Sequence, residues 1–111
     1  MGKTDCVVMC TTLPAGADAA ALAKTLVGER LAACVTTRPG IRSVYRWRDA
    51  IEEDEEQQVL IKTTADRVES LGKKIRELHP YEVPEILVLP VIGGDEDYLE
   101  WVRACTADGA P

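Results

Sequence analysis

Two runs of β-forming residues stand almost back to back in the middle of this chain, and their length limits the fold more than any other feature. The first, Ala33–Trp47, reads CVTT, then Arg38-Pro39-Gly40, then IRSVYRW. Proline cannot donate to a ladder and glycine weakens one, so this stretch predicts a single strand bent or bulged at Pro39-Gly40. A turn near Arg48–Ala50 follows. IEEDEEQQ then leads into VLIKTT, a plain strand from Val59 to Thr64, whereas the acidic half, Ile51–Gln58, shows no strand alternation by itself. Strands of about 14 residues greatly exceed the usual ~5–6. Such a ribbon must protrude from a small subunit, and its free edges invite pairing with another copy. Its many glutamates support the opposite reading, a charged edge that keeps copies apart, so the ribbon alone leaves association open.

The other segments are shorter. Asp5–Thr12 is β-branched and apolar and reads as a buried strand, broken by Leu13-Pro14-Ala15-Gly16. Ala17–Leu31 predicts an amphipathic helix with Leu22, Leu26 and Val27 on one face, weakened by Gly28. Asp66 and Glu69 resemble a capping box, and Val68, Leu71, Ile75 and Leu78 form a helical stripe that Pro80 ends. Glu85–Ile92 reads as a second buried strand, and Gly93-Gly94-Asp95 caps a short helix through Cys105. The order β-α-β-β-α-β-α predicts an α+β, ferredoxin-like β-α-β-β-α-β fold, with a four-stranded antiparallel sheet, helices on one face and an additional C-terminal helix. With 111 residues, one domain over 1–111 is expected, ordered from about 5 to 106, with a frayed tail at Thr106–Pro111.

The formal charge is −6, from 19 acidic against 13 basic residues. With no basic run to neutralise phosphates, nucleic acid is not an expected partner. No apolar stretch approaches the ~20 residues of a membrane helix, so no membrane partner is expected either. Met1-Gly2-Lys3-Thr4-Asp5 lacks the apolar region of a secretory signal, and a cytoplasmic location is the reading. Cys6, Cys10, Cys34 and Cys105 include no close-spaced pair and read first as core residues. No G-x-S-x-G, phosphate loop or HExxH occurs, so the chain does not read as an enzyme.

ELHPYEVPEIL, from Glu77 to Leu87, holds the single histidine, His79. One reading is an imidazole at a helix end, where the dipole and the last carbonyls favour it. The other places His79 in an intersubunit pocket with Tyr81, Glu82 and Lys62, on a connection stiffened by Pro80 and Pro84. The residues alone leave both open.

Taken together, VVMCTT, ERLAACVT, RPGIRSVYRW, VLIKTT, ELHPYEVPEILVLPV and GDEDYLEWV resemble the divalent-cation tolerance proteins, the CutA family, in order and over roughly Cys6–Thr106. The resemblance implies a tight homotrimer built through the long hairpins of the second and third strands, with a PII-like architecture. It also implies strand for Ile51–Gln58. Its functional implication is a non-enzymatic response to metal ions, with copper or another divalent cation bound and no organic cofactor. By motif match, the metal-binding positions fall on Cys10, Cys34 and His79; Cys6 and Cys105 lie outside the pattern. Tyr45, Trp47, Lys62, Tyr81, Glu82 and Glu85 look like a cleft lining or an intersubunit contact. Two departures stand out: Arg38 replaces an aliphatic residue, and Arg48-Asp49-Ala50 replaces a glycine-bearing hairpin tip. The expected strand order puts Cys10 and Cys34 two strand spacings apart, ~9–10 Å. With metal–sulfur bonds near ~2.3 Å, one ion cannot bridge them within a chain. An alternative is a PII-like sensor or scaffold holding a small metabolite or partner in intersubunit clefts, where Lys62, Glu82 and Tyr45 outweigh the cysteines.

Overall fold

The computed structural model describes residues 4–107. Along the chain come β1 (Cys6–Pro14), α1 (Ala19–Gly28), β2 (Cys34–Trp47), β3 (Ala50–Thr64), a 3₁₀ turn (Ala65–Arg67) running into α2 (Val68–Leu78), β4 (Leu87–Pro90) and α3 (Glu96–Thr106). The sheet is antiparallel in the order β2-β3-β1-β4, the ferredoxin-like arrangement expected from the element order. Strand alternation then sorts the side chains. Met9, Val59 and Ile61 point to one face and close a core with Leu26 of α1 and Leu71 and Ile75 of α2, all of them buried. Each such side chain contributes about 1.5–3 kcal/mol by leaving water. Helices do not keep to one face, however. Cys6 lies on the opposite side of β1 from Met9 and packs with Ala33, Leu99 and Val102, so α3 covers one end of the other face. The Thr64 and Thr106 hydroxyls, 3.1 Å apart, fasten it there.

The ribbon is fully formed, with 14 residues in β2 and 15 in β3, and Ile51–Gln58 is strand throughout. Its register shifts between Arg38 and Ile41, where Gly40 has φ 73°, so the bend at Pro39-Gly40 is a bulge. Trp47 pairs with Ala50 across a two-residue tip in which Arg48 and Asp49 both have positive φ, 49° and 66°. That is the backbone of a type I′ turn, whose twist suits a hairpin, made here without glycine. Arg48 is held in place by the Trp47 ring, 5.3 Å from its guanidinium carbon, and by Glu82 at 3.1 Å.

Element ends differ from expectation where local bonding intervenes. α1 begins at Ala19 because Asp18 accepts the Ala21 N–H at 3.0 Å, and it ends at Gly28 rather than Leu31. There Arg30 turns left-handed, φ 60°, while Arg30 and Leu31 donate to Val27 and Leu26 at 3.1 and 3.0 Å. This pair of bonds closes the helix in a Schellman motif and drops Leu31 into the core beside Leu26. Asp66 caps nothing; it accepts the Thr64 hydroxyl instead, and α2 starts through the 3₁₀ turn. The segment Glu85–Ile92 is not a buried strand. Only Leu87–Pro90 is strand, at the edge of the sheet, and Leu87, Leu89 and Ile92 are 55%, 50% and 62% exposed. Its apolar character matches a surface that no element of this chain covers. Thr106 is helical and buried, Ala107 follows the helix exposed, and 108–111 of the expected tail lie outside the described residues.

Candidate functional site

Pro80 forbids another helical turn, so α2 stops at Leu78 and His79 adopts an extended backbone whose N–H still reaches the Ile75 carbonyl at 2.8 Å. The imidazole Nδ1 accepts the Tyr81 N–H at 3.1 Å, which makes Nε2 the donor to the Thr12 carbonyl 2.6 Å away. His79 therefore ends the helix and also fastens the following loop to β1. Tyr81 extends the fastening: its hydroxyl donates to Glu56 Oε2 at 2.8 Å. Burial, then that hydrogen bond and the negative charge of Glu56, raise the phenol well above the ordinary tyrosine value.

Beneath this loop lies a cleft of about 860 Å³. Its floor comes from Thr12, from Ser43, Tyr45 and Trp47 of β2 and from Glu56 of β3, and its wall is Pro80–Glu85. The floor residues share a face because the bulge resets the register so that Ile41 opposes Glu56, Ser43 opposes Asp54 and Tyr45 opposes Glu52. Tyr45 donates to Asp54, and that bond, more than burial, pushes its phenol up to about 12. Five of the six residues expected in a cleft line this one: Tyr45, Trp47, Tyr81, Glu82 and Glu85. Lys62 does not. It lies farther along β3, opposite Cys34 and Val8, and its ammonium donates to the Thr36 hydroxyl. Glu56 was missed from sequence because it sits in an acidic run that reads as a solvated face. Its neighbours Glu52–Glu55 are indeed exposed, but Glu56 is only 6% exposed. The bulge at Pro39-Gly40 was the one signal that could have assigned it.

Cys10, Cys34 and His79 are not brought together within the chain. Cys10 opposes Leu60 on β1 and Cys34 opposes Lys62 on β2, with β3 between them, so two strand spacings of about 4.8 Å separate the thiols. Burial, with a further push from Glu85, raises the Cys10 thiol, which disfavours the thiolate a metal needs. Both nitrogens of His79 are engaged. Among the described residues, no group of three or more His, Cys, Asp or Glu is placed to hold a metal ion. Cys34 differs from Cys10: it lies on an edge strand, partly exposed, with its sulfur 3.9 Å from the Thr36 hydroxyl.

The model of the CutA1 divalent ion tolerance protein family matches residues 7–105. The chain belongs to this family. It is 46% identical over 99 residues to the divalent-cation tolerance protein CutA of Thermus thermophilus, covering 89% of this chain and 96% of that one. It is 48% identical over 100 residues to the CutA of Pectobacterium atrosepticum, covering 90% and 91%. The solved structure of the Thermus thermophilus protein superposes with a TM-score of 0.88 at 44% identity, over 92% of this chain and 99% of that one. CutA from Xylella fastidiosa gives 0.88 at 39% identity, over 94% and 100%. The CutA assignment read from the motifs is thus shown, and the fold with it. Among the described residues, no helix is long and apolar enough to cross a membrane.

Proposed function

We propose that this CutA chain acts without catalysis, as a cytoplasmic homotrimer that binds divalent cations, copper first, through donors drawn from more than one chain. The observation that carries this reading is a free, partly exposed Cys34 on an edge strand, in a chain that belongs to a divalent ion tolerance family. Within one chain the thiols and the imidazole do not fit a single ion. Across an interface, a soft sulfur donor at a free edge can be completed by a neighbour, and thiolate suits copper. The apolar residues left open on β4 and on the ribbon, Leu87 and Leu89 with Ile51, support burial by further copies. Isothermal titration of copper into the assembled protein tests the metal reading. Uptake that falls in Cys34→Ala supports it; stoichiometric uptake unchanged in both Cys34→Ala and His79→Ala excludes these donors.

A second reading, a PII-like sensor or scaffold whose clefts take a small metabolite, is favoured by the 860 Å³ cleft that gathers five of the expected residues. A bound small molecule seen there by crystallography would support it.

A further inference from the structure

We infer that the cleft is a site for a small organic cation, an alkylammonium or alkylguanidinium group seated between Glu56 and the rings of Tyr45, Trp47 and Tyr81. The inference rests on reading the cleft as a small-molecule site, and it names the chemistry of the occupant. A volume of about 860 Å³ is ample for such a molecule.

Glu56 is the first argument. It is 6% exposed, its carboxylate's only hydrogen bond among the described residues is the Tyr81 hydroxyl on Oε2, and no salt bridge joins it to any described lysine or arginine. No buried side-chain oxygen in the described residues lacks a partner, so Oε1, which has no hydrogen bond, keeps accessible surface, and Glu56 lines the cleft. That carboxylate has no countercharge among the described residues, so a cation entering the cleft gains a charge-assisted partner there.

The second argument is independent of the acid. Arg48 already lays its guanidinium over Trp47 at 5.3 Å and onto Glu82 at 3.1 Å, and both of these partners line the cleft. The chain thus displays the proposed chemistry with its own side chain: a flat cation on the same aromatic ring, closed by a carboxylate. Tyr45 and Tyr81 also line the cleft, and an aromatic lining adds cation–π attraction to the charge. Glu85 also lines the cleft, and Arg46 is the only basic side chain in the lining. The carboxylates do not converge on one point, as a metal ion would require, and this spread favours a larger, weakly hydrated cation.

The test uses the full chain and four probes: n-butylguanidinium, n-butylammonium, tetramethylammonium and, as the anionic isostere, butyrate. Binding is read by isothermal titration and by the two tryptophan indole signals in a ¹H–¹⁵N spectrum. The expected result is saturable binding of the cations, with movement of the Trp47 signal and not of Trp101, which lies on α3 outside the cleft. Glu56→Gln keeps an acceptor for the Tyr81 hydroxyl and should lower affinity at least tenfold; Tyr45→Leu should lower it severalfold. Cation binding unchanged in Glu56→Gln overturns the inference. If butyrate binds and the cations do not, the cleft is still a ligand site but the assigned chemistry is wrong. If no probe moves Trp47, both readings fall.

Discussion

Removing the Tyr81 hydroxyl by Tyr81→Phe would leave Glu56 in its buried position without its one donor. Hydrogen bonds to charged groups contribute about 1.5–3 kcal/mol, and a buried acceptor left bare loses its desolvation energy as well. Because Glu56 lines an open cleft, water can reach the vacated oxygen, so the expected loss lies at the lower end, about 1.5 kcal/mol. Denaturant unfolding of wild type, Tyr81→Phe, Glu56→Gln and the double variant closes a cycle whose coupling energy should be about 1 kcal/mol or more. The pH dependence follows with a definite sign. A phenol whose folded pKa is raised contributes stability that is complete below the ordinary tyrosine value and is lost as pH climbs through the raised one. Tyr81→Phe should therefore flatten the alkaline limb of the stability curve. A Tyr81→Phe protein as stable as wild type, with zero coupling to Glu56 and an unchanged alkaline limb, would refute the fastening of this loop to the sheet.

Three further outcomes are expected. Asp49→Gly relieves a left-handed residue at the hairpin tip and should raise stability by about 1 kcal/mol by calorimetry, leaving the ribbon register intact. Asp5 has its pKa lowered, first by the Arg103 hydrogen bond, so its stabilisation is present above the unfolded carboxylate value and fades as pH falls through the lowered one. Arg103→Leu should return the Asp5 carboxyl, followed by NMR, toward the ordinary range. Under a thiol-labelling reagent at neutral pH, Cys34 should react well before Cys6 and Cys10, which are buried and raised by desolvation; equal rates would contradict the packing.

How much of this was legible in the sequence depends on which force placed each residue. The stripe Val68, Leu71 and Ile75 made α2 legible because that face of the helix meets the core, while Leu78 at its end is 51% exposed. The ribbon was visible in its β-branched and aromatic half, IRSVYRW, and hidden in IEEDEEQQ. There both faces carry carboxylates, and only the cross-strand register distinguishes Glu56 from its exposed neighbours. The segment ILVLPVI looked like core because hydrophobicity reports avoidance of water without saying what covers the surface. In the structure Leu87, Val88 and Leu89 lie open at a sheet edge and Ile92 is exposed beyond it, whereas Ile86 and Val91 are half-buried against the core clusters. His79 was undecided between helix end and site lining; its two hydrogen bonds make it the helix end that positions the lining. Lys62 was placed by motif among the cleft residues, yet the ribbon is long enough to carry Tyr45 and Trp47 far from it.

Assembly is the claim on which the metal reading most depends, since no single chain brings Cys10, Cys34 and His79 into reach of one ion. Sedimentation equilibrium across a dilution series measures it most directly. The account predicts a species of three times the chain mass that persists at dilute protein, its β4 edge and ribbon buried between copies. A well-folded monomer at the same dilution would contradict it.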